Sequence, residues 1–283
     1  MKKLYHRLYR ESVSLKTLIG FFLATLVHWP FCGWLRFWLT KKGEMPRQRE
    51  GAEVAIRTHR FREKIIDAHM VWTTLLMRQY DALPGFRIAR GEQVIDIGGH
   101  IGAFAVHAAS LGAMVVTVEP APENFRALLG NTKRYGASVI ALQLSVAGEN
   151  GARTLALDPQ NSARHGFYGT GRGGVAVAAV TLPRLFERCG KRRCDFLKLD
   201  AEGAEYEIIA AAPTELLASI RRIAMEFHLP PYFGLSEKQA NLGALTEKLR
   251  RAGFTVQIVR ENRLRGLLFA RREQAGALSP SAF

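Results

Sequence analysis

VIDIGGHIGAFAVHAASLG, residues 94–112, decides the fold. A short apolar run carrying Asp96 breaks at Gly98 and Gly99, and from Gly102 an alanine-rich stretch takes helical spacing. Gly98 and Gly99 permit a tight turn and close backbone approach, and Gly102 opens a helix whose N-terminal amides face whatever occupies the crevice. Strand, glycine turn and helix in that order begin an open α/β sheet with its ligand at the carboxyl ends of the strands.

Outward from this turn the chain alternates. Strands are expected at 93–97, 114–118, 139–144, 194–199, 222–227, 255–260 and 266–270, and helices at 102–111, 122–135, 204–212 and 237–251. Short apolar strands with helical crossovers predict an α/β fold with a mostly parallel seven-stranded sheet and helices on both faces. MVVTVEP ends the second strand in Glu119, placed to accept the hydroxyls of an adenosine ribose, a role shared by nicotinamide and S-adenosylmethionine enzymes. The spacing DxGxxxG at Asp96, Gly98 and Gly102 lacks the full GxGxxG pattern, which favours S-adenosylmethionine, a cofactor without a pyrophosphate. Gln143, Leu144 and Ser145 fall toward the adenine side by position alone. His100, in the glycine loop, either bonds the amino-acid end of the cofactor or packs the loop; His107 reads as a satisfied histidine at the edge of the core.

A second cluster of interest is LKLDAEGAEYEII, residues 197–209, acidic within a chain of formal net charge +15. Asp200 stands at a strand terminus, Glu202 and Gly203 form the turn, Glu205 suits the first turn of a helix, and Glu207 is expected to face solvent. In AMEFHLPPYFG, Glu226 and His228 share a face of an extended strand. If strands 194–199 and 222–227 are neighbours, Asp200, Glu226 and His228 converge. They could then hold a divalent ion such as Mg2+ or Mn2+, or Asp200 or His228 could take a substrate proton without metal.

The N-terminal 60 residues differ from the rest. They hold twelve Lys or Arg against four Glu, and residues 17–35, TLIGFFLATLVHWPFCGWL, are uncharged. Near the lower length limit for a membrane-spanning helix but interrupted by His28, Pro30 and Gly33, this run suits a span or a shallowly inserted helical hairpin at an anionic membrane surface, or else helices that pack on the following domain or meet a second copy in a homodimer. Residues 40–60 suit a connector, and 62–83 an amphipathic leading helix or lid. The expected division is 1–60, a helical segment, and 61–283, the α/β domain. Cys32, Cys189 and Cys194 show no paired spacing, which points to a reducing compartment. A cytoplasmic protein, peripheral on the inner face of a membrane through residues 1–40, is the expected setting.

Taken together, VIDIGGHIG (94–102), VEPAPENFRALLGN (118–131), LSVAGENG (144–151), VTLPRLF (180–186), FLKLDAEGAEYEII (196–209) and MEFH (225–228) resemble the FkbM-type S-adenosylmethionine-dependent methyltransferases. The resemblance implies a class I, Rossmann-like methyltransferase fold and O-methylation of a sugar, lipid-linked glycan or secondary-metabolite hydroxyl. It implies cofactor binding by Asp96, Gly98 and Gly102, ribose binding by Glu119, and a reactive end at Asp200, Glu202, Glu226 and His228; Gly99, His100 and Ser145 join the cofactor-binding candidates by position alone. Two departures stand out: Gly99-His100 where the family commonly has Ala-Asn, and Pro183 where it often has an acidic residue. Methylation of RNA or another nucleic acid is the enzymatic alternative, with HGFYGTGRGG (165–174) as a phosphate-contacting loop. A noncatalytic adenosyl-binding or membrane-tethering module is the other.

Overall fold

The computed structural model describes residues 53–56, 59–62, 67, 70, 73–74, 78–81, 83–158, 162–168 and 174–272. The apolar run at 17–35 and most of the leading helix at 62–83 lie outside them. Just ahead of the α/β domain, β1 (Glu53–Ile56) and β2 (His59–Arg62) form an antiparallel hairpin. This corrects the expectation of a helical segment and connector up to residue 60, and the boundary placed there falls inside β2. Alternation of the Arg60–Phe61–Arg62 kind favours a strand.

The seven expected strands pair into one sheet. Its strands are β3 (Gln93–Ile97), β4 (Met114–Val118), β5 (Val139–Leu142), β9 (Phe196–Leu199), β10 (Arg222–His228), β11 (Thr255–Arg260) and β12 (Arg265–Arg271), in the order β11-β12-β10-β9-β3-β4-β5. The five strands from β10 to β5 are parallel, and β12 runs antiparallel to both its neighbours. Helices α1 (Ala103–Ser110), α2 (Pro122–Thr132), α3 (Leu182–Arg188), α4 (Glu205–Ala211), α5 (Thr214–Ala218) and α6 (Leu242–Arg251) supply the crossovers.

Strand alternation sorts the core into two layers. Val94, Val115, Phe196, Ala224 and Phe269 pack on one face with Phe104 and Ala108 of α1. Ile95, Ile97, Val116, Leu197, Leu199, Ile223 and Met225 pack on the other with Leu185, Ile208 and Leu249. Cys194 is a buried free thiol in that second layer.

Between β5 and α3 the chain builds a second sheet that sequence reading missed. β6 (Ser145–Val146), β7 (Gly151–Ala156) and β8 (Gly174–Val180) pair in the order β6-β8-β7. The third strand of the main sheet therefore ends at Leu142 and not 144, because the backbone of Ser145 and Val146 pairs with Ala179 and Val180 instead. The alanine- and glycine-rich sequences GARTLA and GVAVAAV carry little of the bulky alternation that marks a strand. Pro213 divides the helix expected at 204–212 from α5.

Candidate active site

Three polar residues form a row across the middle of the sheet. Asp96 is the register partner of Thr117 on one side and Lys198 on the other. All three are buried among apolar neighbours, where an uncompensated charge would be costly. They compensate each other: Thr117 Oγ1 donates to Asp96 Oδ2 at 2.9 Å, and Lys198 Nζ lies 3.2 Å from Asp96 Oδ1. Lys198 also donates to the Gly98 carbonyl at 2.6 Å. Asp96 thus shapes the glycine turn from beneath, its carboxylate engaged by protein groups.

The glycine turn lies against the acidic turn. Gly98 has φ 79°, and a Cβ there would stand 1.8 Å from the Asp200 carbonyl oxygen. At Gly99 a Cβ would stand 2.3 Å from Thr117 Oγ1 and 2.8 Å from a Leu128 methyl. This gives a physical reason for glycine at the position where the family commonly has alanine. His100 holds φ 49°, a conformation His adopts more readily than most side chains. Its amide donates to Glu119 Oε2 at 2.8 Å, and its Nε2 lies 3.1 Å from Ser162 Oγ, so the side chain packs the loop.

Glu119 is buried, and burial holds its carboxyl above the usual range despite hydrogen bonds that oppose this. Oε1 accepts from the Ala121 amide at 2.9 Å and from Asn124 Nδ2 at 3.2 Å. Oε2 accepts from His100 alone among these groups, leaving it a lone pair for a ribose hydroxyl. No side chain caps α1 at Gly102, so the first amides of that helix stand open to a carboxylate. These features fit S-adenosylmethionine. Ser145 belongs to β6, and its hydroxyl donates to the Ala178 carbonyl at 3.1 Å.

β9 and β10 are neighbours, and the acidic residues do converge. Asp200 Oδ2 accepts from Tyr80 Oη at 2.9 Å and lies 3.6 Å from Lys198 Nζ. Asp200 Oδ1 is buried with no hydrogen-bond partner among the described residues. Burial, opposed by Lys198 and reinforced by Glu226, lifts the Asp200 carboxyl to about 6. Sequence reading missed both Lys198 and Tyr80. The signal for Lys198 was a lone charge inside the apolar run FLKL of β9, a residue type almost never fully buried unless paired.

Around His228 the arrangement differs. Its Nδ1 is 3.5 Å from Glu205 Oε1, and its Nε2 is 3.6 Å from Glu226 Oε1 and 3.7 Å from Glu202 Oε2. Burial pulls the imidazole pKa down, but Glu205, Glu226 and Glu202 outweigh it and hold it well above the ordinary value. The Tyr232 ring stacks on it at 4.8 Å. Glu226 is bonded by Arg265 Nη1 at 3.1 Å; against the effect of burial, Arg265 and His228 draw its carboxyl down to about 2. Glu202, at φ 49°, is driven well above the carboxylate range by burial. Glu205 does more than begin a helix, since it accepts from the amides of Ala201 and Gly203 at 2.9 and 3.0 Å. Glu207 does not simply face solvent: it is partly buried and pairs with Arg153 of β7 at 2.5 Å.

The residues expected to ligate a divalent ion do not fit one. Among the described residues no three His, Cys, Asp or Glu side chains are gathered to hold a metal. Asp200 and Glu226 already face Lys198 and Arg265, so protein cations balance the carboxylates. His107 is satisfied as expected, 3.0 Å from Asp81 Oδ2. In the loop at 165–174, Gly166 lies against the acidic turn, where a Cβ would stand 2.8 Å from the Glu202 carbonyl oxygen; residues 169–173 lie outside the described set.

Comparison with known proteins gives one family. The model of the methyltransferase FkbM domain matches residues 96–256, more than half of the chain. AMB antimetabolite synthetase AmbE of Pseudomonas aeruginosa is 27% identical over 240 residues, covering 71% of this chain and 11% of that protein. The chain thus spans only about a tenth of that relative's length. Among solved structures, a methyltransferase FkbM from Methylobacillus flagellatus KT aligns with TM-score 0.46 at 13% identity, covering 72% of this chain and 53% of that one. Magnesium protoporphyrin IX methyltransferase of Synechocystis PCC 6803 aligns with TM-score 0.34 at 14% identity, covering 74% and 78%. At these scores neither structural likeness bears on function.

Proposed function

The chain belongs to the FkbM methyltransferase family, and on that premise we propose that it methylates a hydroxyl oxygen from S-adenosylmethionine, with Asp200 as proton acceptor. The observation that carries the reading is Asp200 Oδ1, a buried acceptor with no hydrogen-bond partner among the described residues. A buried acceptor of this kind calls for a donor, and an acceptor hydroxyl is one. Bound S-adenosylmethionine supplies an electrophilic methyl carbon whose bond to sulfur breaks as the new bond to oxygen forms.

The protein's own part is alignment and proton transfer. The acceptor O–H donates to Asp200 Oδ1 and its proton passes to that carboxylate as the C–O bond forms. A carboxyl raised to about 6 is a stronger base than an ordinary aspartate and still ionised at neutral pH. Tyr80 and Lys198 hold the other oxygen, so Oδ1 is the one left for the acceptor. His228, kept cationic by Glu205, Glu226 and Glu202, is a poor base at neutral pH; its role is to order those carboxylates at the acceptor end. The Glu119 carboxylate and the first amides of α1 would hold the cofactor ribose and amino-acid carboxylate.

The relative whose name is antimetabolite synthetase supports a secondary-metabolite acceptor, with sugar and lipid-linked glycan hydroxyls beside it. Labelled methyl transfer screened across these classes and RNA tests the reading. It predicts base-stable label on a small-molecule or glycan hydroxyl. Label on RNA alone would favour the nucleic-acid alternative, and S-adenosylhomocysteine binding without any transfer would favour a noncatalytic module.

A further inference from the structure

The edge of the central sheet opposite the candidate site carries, besides Arg221, six exposed arginines: Arg87, Arg90, Arg188, Arg192, Arg193 and Arg271. Arg87 and Arg90 lead into β3, Arg188 ends α3, and Arg192 and Arg193 precede β9. Arg271, last in the antiparallel β12, is the register partner of Arg222, first in β10. Hydrogen bonds tie these chain segments together. The Arg221 amide donates to the Cys194 carbonyl at 2.9 Å, the Arg272 amide to the Arg221 carbonyl at 3.0 Å, and Arg222 Nη1 to the Arg87 carbonyl at 2.7 Å.

Basic residues with a structural task on this edge have partners. Glu92 takes Arg222 at 2.5 Å and Arg221 at 3.5 Å, and Glu187 takes Arg184 at 2.9 Å. Asp195 Oδ2 accepts from the Gln93 amide at 2.8 Å. The other six arginines are exposed and have no ion-pair partner among the described residues.

We propose that this edge docks on an anionic lipid bilayer, holding the crevice about 15 Å above it, the length of β3, β4 and β9 at about 3.3 Å per residue. Two observations favour lipid over nucleic acid. The aromatics nearest the edge, Phe86, Phe196 and Phe269, are buried, so they give no platform on which bases could stack. The sequence also carries the uncharged apolar run 17–35 between basic segments, and lasting bilayer attachment takes two signals, such as a hydrophobic element plus a polybasic patch.

The test is flotation of the full chain with vesicles of phosphatidylcholine alone or mixed with phosphatidylserine, at low and high salt. The native protein should float with the anionic vesicles and be released by salt. Replacing Arg87→Glu, Arg192→Glu and Arg193→Glu together should weaken that binding at least about tenfold, since each basic residue near an anionic surface is worth about fivefold. S-adenosylhomocysteine binding by calorimetry, unchanged in the variant, reports an intact fold. A second variant, Arg90→Glu with Arg188→Glu, should show the same loss from other segments of the edge. Unchanged flotation of both variants would overturn the proposal, as would single-stranded RNA competing the native protein off the vesicles while binding more tightly itself.

Discussion

Gly98 and Asp200 are in backbone contact: the Asp200 amide donates to the Ile97 carbonyl at 3.1 Å, and a Cβ on Gly98 would stand 1.8 Å from the Asp200 carbonyl oxygen. The turn expected to carry cofactor and the turn expected to carry chemistry are one structural unit. A change in either is felt by the other.

Gly98→Ala separates crowding from backbone strain. Gly91 has almost the same φ, 81° against 79°, but a Cβ there meets nothing within 4 Å. Gly91→Ala should cost only the left-handed strain, about 1–2 kcal/mol. Gly98→Ala adds a collision with backbone, about 1–3 kcal/mol more, and should also weaken S-adenosylhomocysteine binding. Urea unfolding and calorimetry of the two variants check this; equal effects would show that Gly98 is not packed against the acidic turn.

The pH dependence of transfer should rise through a limb near 6, as Asp200 loses its proton. Lys198 lowers the Asp200 pKa, so Lys198→Met should move the limb upward by about one pH unit or more. The same change leaves Asp96 and Asp200 without their cation and should cost about 3–5 kcal/mol of stability. Lys198→Arg, which keeps the charge, should restore most of the pH profile. An unmoved limb in Lys198→Met would remove Lys198 from the account.

His228 makes an opposite prediction in pH. Its folded pKa is raised well above the ordinary value, so the stability it contributes is fully present below about 6.5 and is lost as pH rises through the folded pKa. His228→Gln should therefore be less stable than the native chain by about 3–5 kcal/mol between about pH 5 and 6.5, with the gap closing in alkali. Urea midpoints across pH measure it; a gap that widened with pH would contradict the cationic assignment.

Metal chelation should leave methyl transfer unchanged, because Lys198 and Arg265 balance the carboxylates a divalent ion would need. Loss of activity on chelation, restored by Mg2+ or Mn2+, would reinstate the metal reading.

Much of this was legible in the sequence because strand alternation and glycine turns are local signals. All seven strands of the main sheet and the glycine loop follow from such patterns, while the pairing of β9 with β10, on which the convergence at Asp200 depended, comes from the sheet order. What was hidden is long-range or weakly patterned. Tyr80 reaches Asp200 across 120 residues, a contact no local window contains. β7 and β8 are built of small residues with little β signal. The row of Asp96, Thr117 and Lys198 was visible in principle, as one polar residue at the same register in three apolar strands. Only the sheet order joins them.

The most direct test of the central claim is Asp200→Asn, assayed for labelled methyl transfer beside calorimetric binding of S-adenosylhomocysteine. The account predicts transfer reduced by about 10²–10⁴-fold, with S-adenosylhomocysteine still bound to within a few-fold of the native affinity. Transfer at the native rate would contradict the assignment of Asp200 as the proton acceptor.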